Sequence, residues 1–167
     1  MSVSNASPLI HLVRLGKLGY AKQVFPSILI PPAVRSEAID AGKSDGYRDA
    51  LTLERLESEG WLKTSELSRR SKKLAIEIAE IVGRGEAEAI ALALERKERL
   101  FIDDRNGRRT AELYRIETTT TLGLILELLA AKTLTRIDYE RNVKNYGSQG
   151  WITGDVIQEF IERGKEF

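Results

Sequence analysis

Apolar residues recur along this chain in two rhythms: short contiguous runs, and longer stretches with apolar positions three and four apart. After a short extended start around Val3, Ser7 reads as a helix cap and Pro8 as a first helical residue. Leu9, Ile10, Leu12, Val13 and Leu15 then make one apolar helix face, ended by Gly16, and a second short helix covers 18–24. Ser27 to Ile30 reads as a buried strand stopped by Pro31 and Pro32, and 33–41 as a helix ended by Gly42. The same pairing returns three times. A helix over 47–59 precedes a strand over 61–64, helices over 74–82 and 86–97 precede a strand over 100–102, and a helix over 106–114 precedes an extended segment over 116–120. Helices over 122–132, 139–146 and 155–163 finish the chain.

Short strands alternating with helices predict an α/β fold, a parallel sheet covered by helices on both faces. Sites in such folds form beyond the carboxyl ends of the strands. That rule singles out Asn5, Asp103 and Asp104, each directly after a strand.

At 167 residues the chain suits one domain, 1–167, with the helices from about 137 packing on it or at a dimer interface. Lys plus Arg total 26 and Asp plus Glu 25, so bulk charge cannot be what holds a nucleic acid, although a local basic patch can. The absence of Cys removes disulfides, thiolate metal sites and cysteine nucleophiles. The single His makes any Ser-His-Asp hydrolase depend on His11, so chemistry falls to the carboxylates. The first residues lack a basic, apolar signal segment, and no run approaches the ~20 apolar residues of a membrane span. A cytoplasmic location without membrane contact is the expectation.

Among the acids, Glu37 lies on the polar side of its helix, as a solvated surface residue also would. Glu86 and Glu88 open a helix, where acids favour the positive end; two residues apart, they flank its core face on opposite sides, so one at most faces a given site. Asp103 and Asp104 end an apolar strand and precede Arg105, Arg108 and Arg109. A helix cap needs only one of them, and two adjacent acids repel unless a cation or arginine neutralises them. Thr118 to Thr121 suit a cap or an anion. Converging Glu37, one of Glu86 or Glu88, Asp104 and Asn5 would make an oxygen-rich cluster suited to Mg²⁺ or Mn²⁺. The basic residues Arg69, Arg70, Lys72, Lys73, Arg105, Arg108 and Arg109 could hold phosphates or form a solvated face.

Four ordered blocks carry a family resemblance: S-N-A-S-P-L-I-H-L from Ser4, I-P-P-A-V-R-S-E-A from Ile30, G-R-G-E-A-E-A-I-A-L-A from Gly83, and L-F-I-D-D-R-N-G-R-R-T-A from Leu100 with T-L-G at Thr121. Together they resemble PIN-domain proteins, and more closely their VapC-like branch. The resemblance implies a parallel-sheet α/β/α sandwich and a metal-dependent endoribonuclease, often a toxin held by a small antitoxin and often paired as a homodimer. Carried over by position, the site is Asn5, Glu37, Glu88 and Asp104. Glu88 is preferred to Glu86 because it stands just before Ala-Ile-x-Leu-Ala. Asp103 is a neighbour, Ser7 matches the small hydroxyl residue two after the first acid, and Thr121 supports the site. One departure stands out: Asn5 occupies the place of the usual first Asp, and its amide oxygen brings no charge. An active Mg²⁺- or Mn²⁺-dependent ribonuclease is therefore weighed against a catalytically weakened module that binds RNA or protein. An unrelated nucleotide-binding domain ranks behind both, because no glycine-rich phosphate loop follows the first strand.

Overall fold

The computed structural model describes residues 1–167. Its strands are β1 (Ser2–Ser4), β2 (Ile28–Ile30), β3 (Leu62–Thr64), β4 (Leu100–Phe101) and β5 (Thr118–Thr119). They form one five-stranded sheet in the order β3-β2-β1-β4-β5, with every pair parallel. β1, β2 and β4 are wholly buried; β2 and β4 are continuous apolar runs, as strands covered on both faces should be, while the central β1 buries two serines beside Val3. The expected α/β/α sandwich is the fold observed.

The connectivity places the site. From β1 the chain steps outward through β2 to β3, then crosses back to lay β4 and β5 on the other side of β1. β1 and β4 therefore flank the switch point, where loops leave in opposite directions and open a crevice. Val3 pairs with Leu100 and Ser4 with Phe101, and the Asn5 amide donates to the Phe101 carbonyl at 2.9 Å. Asn5 thus emerges alongside the end of β4, close to where Asp103 and Asp104 begin.

The helices are α1 (Ala6–Arg14), α2 (Leu18–Val24), α3 (Pro32–Arg35), a π-helical segment (Ser36–Ala41), α4 (Gly42–Ser44), α5 (Arg48–Ser58), α6 (Arg69–Ile78), α7 (Arg84–Arg96), α8 (Arg105–Leu113), α9 (Thr121–Ala130), α10 (Arg136–Ser148) and α11 (Gly154–Arg163). The basic run expected to lie outside a helix forms the first turn and a half of α6. Ser68 caps it by accepting from the Ser71 amide, and Arg and Lys are good helix formers. The helix expected over 33–41 widens into the π-helical turn at Ser36, a local form that recurs at functional sites. Glu37 sits in that turn.

Helix α7 packs on α6, α3 and β1, and its buried face is mostly alanine, which lets it approach the sheet closely. A continuous core of 42 buried apolar residues runs from Val3 to Phe160, so the last helices share it with the sheet.

Candidate metal site at the end of the central strand

Asn5 occupies the N-cap position of α1, yet its side chain makes no capping hydrogen bond. It is 3% exposed and turns inward; its Nδ2 donates to Glu86 Oε1 at 3.4 Å, and its Oδ1 is buried with no hydrogen-bond partner. An orphaned buried acceptor costs about 1–3 kcal/mol. The alternative use of Asn5, bonding to the turn at Ser7 and Pro8, is not the geometry observed. Ser7 itself lies half-buried in the first turn of α1.

Gly85 stands between Glu37 and this oxygen. A Cβ at position 85 would stand 2.7 Å from Glu37 Oε2 and 3.4 Å from Asn5 Oδ1. The missing side chain leaves the space in which the two meet. Burial of its carboxyl, and secondarily the charge of Glu86, pushes Glu37 above the ordinary glutamate pKa, although the residue keeps an exposed side. Cations on the same elements are committed elsewhere: Arg35 pairs with Asp40 and Glu57, and Arg84 with Glu88.

Glu88, expected at the site from its position before Ala-Ile, is held here by groups of α3 and its own helix. Its Oε2 accepts the Ala33 amide at 2.9 Å, and its Oε1 accepts from Arg84 at 3.1 Å. It anchors the start of α3 to α7, while Glu86, its neighbour two residues back, turns to Asn5. The separation of the two side chains across the helix is the one their spacing requires.

The aspartates after β4 also divide. Asp103 is spent on structure: Oδ1 accepts the Thr121 amide at 2.7 Å, and Oδ2 accepts the Thr121 hydroxyl at 2.7 Å and lies 2.9 Å from His11 Nδ1. The anion met by the threonine segment is thus the chain's own carboxylate, and Thr120 caps α9 by accepting the Gly123 amide. Asp104 caps α8, with Oδ1 accepting the Gly107 amide at 2.7 Å. One oxygen suffices for that bond, and the residue is exposed. His11 is also surrounded by structure, stacked on Trp151 at 3.9 Å between ring centroids and 3.3 Å from the Tyr146 hydroxyl. Burial and the Asp103 charge hold that hydroxyl well above the usual tyrosine pKa.

No three Asp, Glu or His side chains converge into a cation cage. A hard cation such as Mg²⁺ needs less, because it typically takes one or two carboxylates and completes its shell with water and substrate phosphate. Asn5 Oδ1, Glu37 and Glu86 match that demand: an unpartnered oxygen beside two carboxylates with no bound Lys or Arg.

The basic residues beside Asp104 are placed against their own helix. Arg105, Arg108 and Arg109 lie in the first half of α8, whose positive end favours acids instead. Arg108 reaches back to the Asp103 carbonyl, and Arg105 and Arg109 are exposed. Helix stability does not account for three cations there.

A parallel sheet of this order covered by helices on both faces, with acids following β2 and β4, is an α/β/α sandwich of nuclease type once its family is known. The family model of the PIN domain matches residues 1–166, and the chain belongs to that family. No curated protein matches the chain.

Proposed function

We propose that this protein is an endoribonuclease dependent on Mg²⁺ or Mn²⁺, of the VapC-like toxin type. The observation that carries the reading is the Asn5 oxygen, buried without a partner beside Glu37 and Glu86. Asn5, Glu37 and Glu86 would hold the cation, with the free oxygen of Asp104 completing the acidic rim across the switch point. A divalent cation there lowers the pKa of a bound water and offsets charge on the scissile phosphate. Arg105, Arg108 and Arg109 bind the flanking phosphates and set the register of the strand. Asp103, held by Thr121 and His11, fixes the loop from which Asp104 projects. Glu88 keeps α3 against α7 and so holds Glu37 and Glu86 on facing elements. The reading includes a cytoplasmic location, a homodimer, and a small antitoxin protein that restrains the nuclease.

Asn5 supports a second reading, a catalytically weakened module that binds RNA or a protein, because an amide contributes no charge to the cation. Incubation of a mixed RNA pool with Mg²⁺, Mn²⁺ or EDTA separates the two. Metal-dependent cleavage that disappears in Glu86→Gln and Asp104→Asn supports the nuclease. Retained RNA binding without cleavage under any metal supports the weakened module, and the absence of both overturns the RNA-directed reading.

A further inference from the structure

Between α8, β5, α9 and the last two helices lies a cleft of about 780 Å³, within the roughly 300–1,000 Å³ of ordinary ligand pockets. Asp103 and Asp104, which follow β4, stand at one end of it. Its lining changes character along its course. Near Asp104 stand Arg105 and Arg108, neither of which is paired with a carboxylate; farther along stand Trp151, Ile152, Val156 and Phe160. Thr118, Thr119 and Thr120 line the same cleft, at the open edge of the sheet where β5 has a partner on one side only, and the Thr120 hydroxyl there accepts the Gly123 amide.

Four acids also reach this cleft, Asp103, Asp104, Glu112 and Glu127, and two of them are held by other side chains. Glu127 is paired with both terminal nitrogens of Arg99 at 2.9 and 2.8 Å, and Asp103 accepts from Thr121 and lies beside His11, while Asp104 and Glu112 stand with Arg105 and Arg108 in the cleft lining without an ion pair. Arg163, at the end of α11, adds a further cation over the Phe160 ring. A ligand that satisfies the cleft carries an anion on the Arg105 and Arg108 side, a flat apolar face at the Trp151 end, and hydrogen-bonding edges between.

Resting on the ribonuclease reading, we propose that this cleft is a nucleobase subsite. It takes the unpaired nucleotide next to the scissile phosphate, with its phosphate on Arg105 and Arg108, its base against Trp151 and the apolar wall, and its edge at the threonines. The aromatic wall makes the protein selective for single-stranded RNA, because a base stacked in a duplex presents no free face. The wall comes from the loop and helix after α10, so these helices take part in substrate choice as well as in the core.

The test is binding in EDTA, where no cleavage occurs, by fluorescence anisotropy with a labelled single-stranded RNA oligomer, its duplex, and the same oligomer carrying one abasic position. Wild type is expected to prefer the single strand. Trp151→Ala weakens that binding by about tenfold with an unchanged salt slope. Arg105→Ala lowers both the affinity and the salt slope, by about 0.7 for one phosphate lost on a single strand. The abasic position weakens wild type and leaves Trp151→Ala unaffected. Because Trp151 also stacks on His11, a second measurement uses the unaltered protein. RNA quenches the emission of half-buried Trp151, while Trp61, buried with its N–H on the Phe25 carbonyl, gives a constant background. RNA binding with unchanged tryptophan emission, equal affinity for duplex and single strand, or no loss in a folded Trp151→Ala overturns the subsite and leaves the ribonuclease reading standing. No RNA binding by wild type overturns both.

Discussion

Asn5 gives its side-chain amide to Glu86 across 3.4 Å while its own carbonyl oxygen lies buried without a partner. At the N-cap of α1 that oxygen could have accepted a helix amide, worth about 1 kcal/mol, and it does not. The chain holds an acceptor in reserve beside two carboxylates. An unpartnered buried acceptor costs stability in the metal-free fold, and under the proposed reading a bound cation would offset that cost.

Asn5→Asp tests the reserve directly, since the two residues differ little in size. The added carboxylate tightens Mn²⁺ binding, each tenfold gain corresponding to ~1.4 kcal/mol. In EDTA the same change lowers the melting temperature through repulsion from Glu37 and Glu86. Calorimetric titration of both forms checks it, and equal, negligible heats would remove the metal from this site.

Glu86 and Glu88 separate by the sign of their effect. In EDTA, Glu86→Gln leaves the melting temperature unchanged or raises it, because it relieves Glu37 of a like charge; it also abolishes Mn²⁺ binding. Glu88→Ala takes the acceptor from the Ala33 amide and costs about 1–2 kcal/mol in a denaturant melt, with Mn²⁺ binding retained. A reversed pattern would return the metal to Glu88.

The Glu37 carboxyl has a raised pKa, so the folded protein binds its proton more tightly than the unfolded chain does. Its contribution to stability is full below the ordinary glutamate value and is lost as pH rises through the folded value. A cation competes with that proton, so Mn²⁺ affinity climbs over the same interval. Titrations between pH 4.5 and 7.5 should show this climb in wild type and a flatter profile in Glu37→Gln.

The neighbouring aspartates differ in kind. Asp103→Ala unpairs the Thr121 amide and hydroxyl and costs about 2–3 kcal/mol. Asp104→Asn keeps the acceptor that caps α8, so stability holds while metal-dependent cleavage falls. Asp104→Ala loses the cap as well, at about 1 kcal/mol. Thermal melts in EDTA beside RNA cleavage assays distinguish the three variants.

The proposed homodimer should give twice the chain mass by light scattering at micromolar concentration, and a monomer mass would count against it. Phe160 is buried and Trp151, Ile152 and Val156 pack on the chain's own core, so the contact falls on exposed apolar residues such as Ile137 in α10.

The alternation of apolar runs and helical faces, with Pro and Gly between them, was enough to read the parallel sandwich from the sequence. Local period and turn chemistry are properties of neighbouring residues, and β2 and β4 are apolar runs that only a doubly covered sheet can bury. The strand-end rule likewise placed Asn5, Asp103 and Asp104 before any coordinates. The sequence could also say that Glu86 and Glu88 face apart, because the angle between residues two apart on a helix is fixed. It could not say which of them turns to Asn5, since that depends on how α7 rolls against α3 and β1. Nor could it say that Asp103 would be consumed by Thr121 and His11 while Asp104 kept a free oxygen, or that a glycine at 85 would make room for Glu37. Those outcomes depend on contacts between residues 18 to 92 positions apart, and only the packed chain brings such groups within hydrogen-bonding reach.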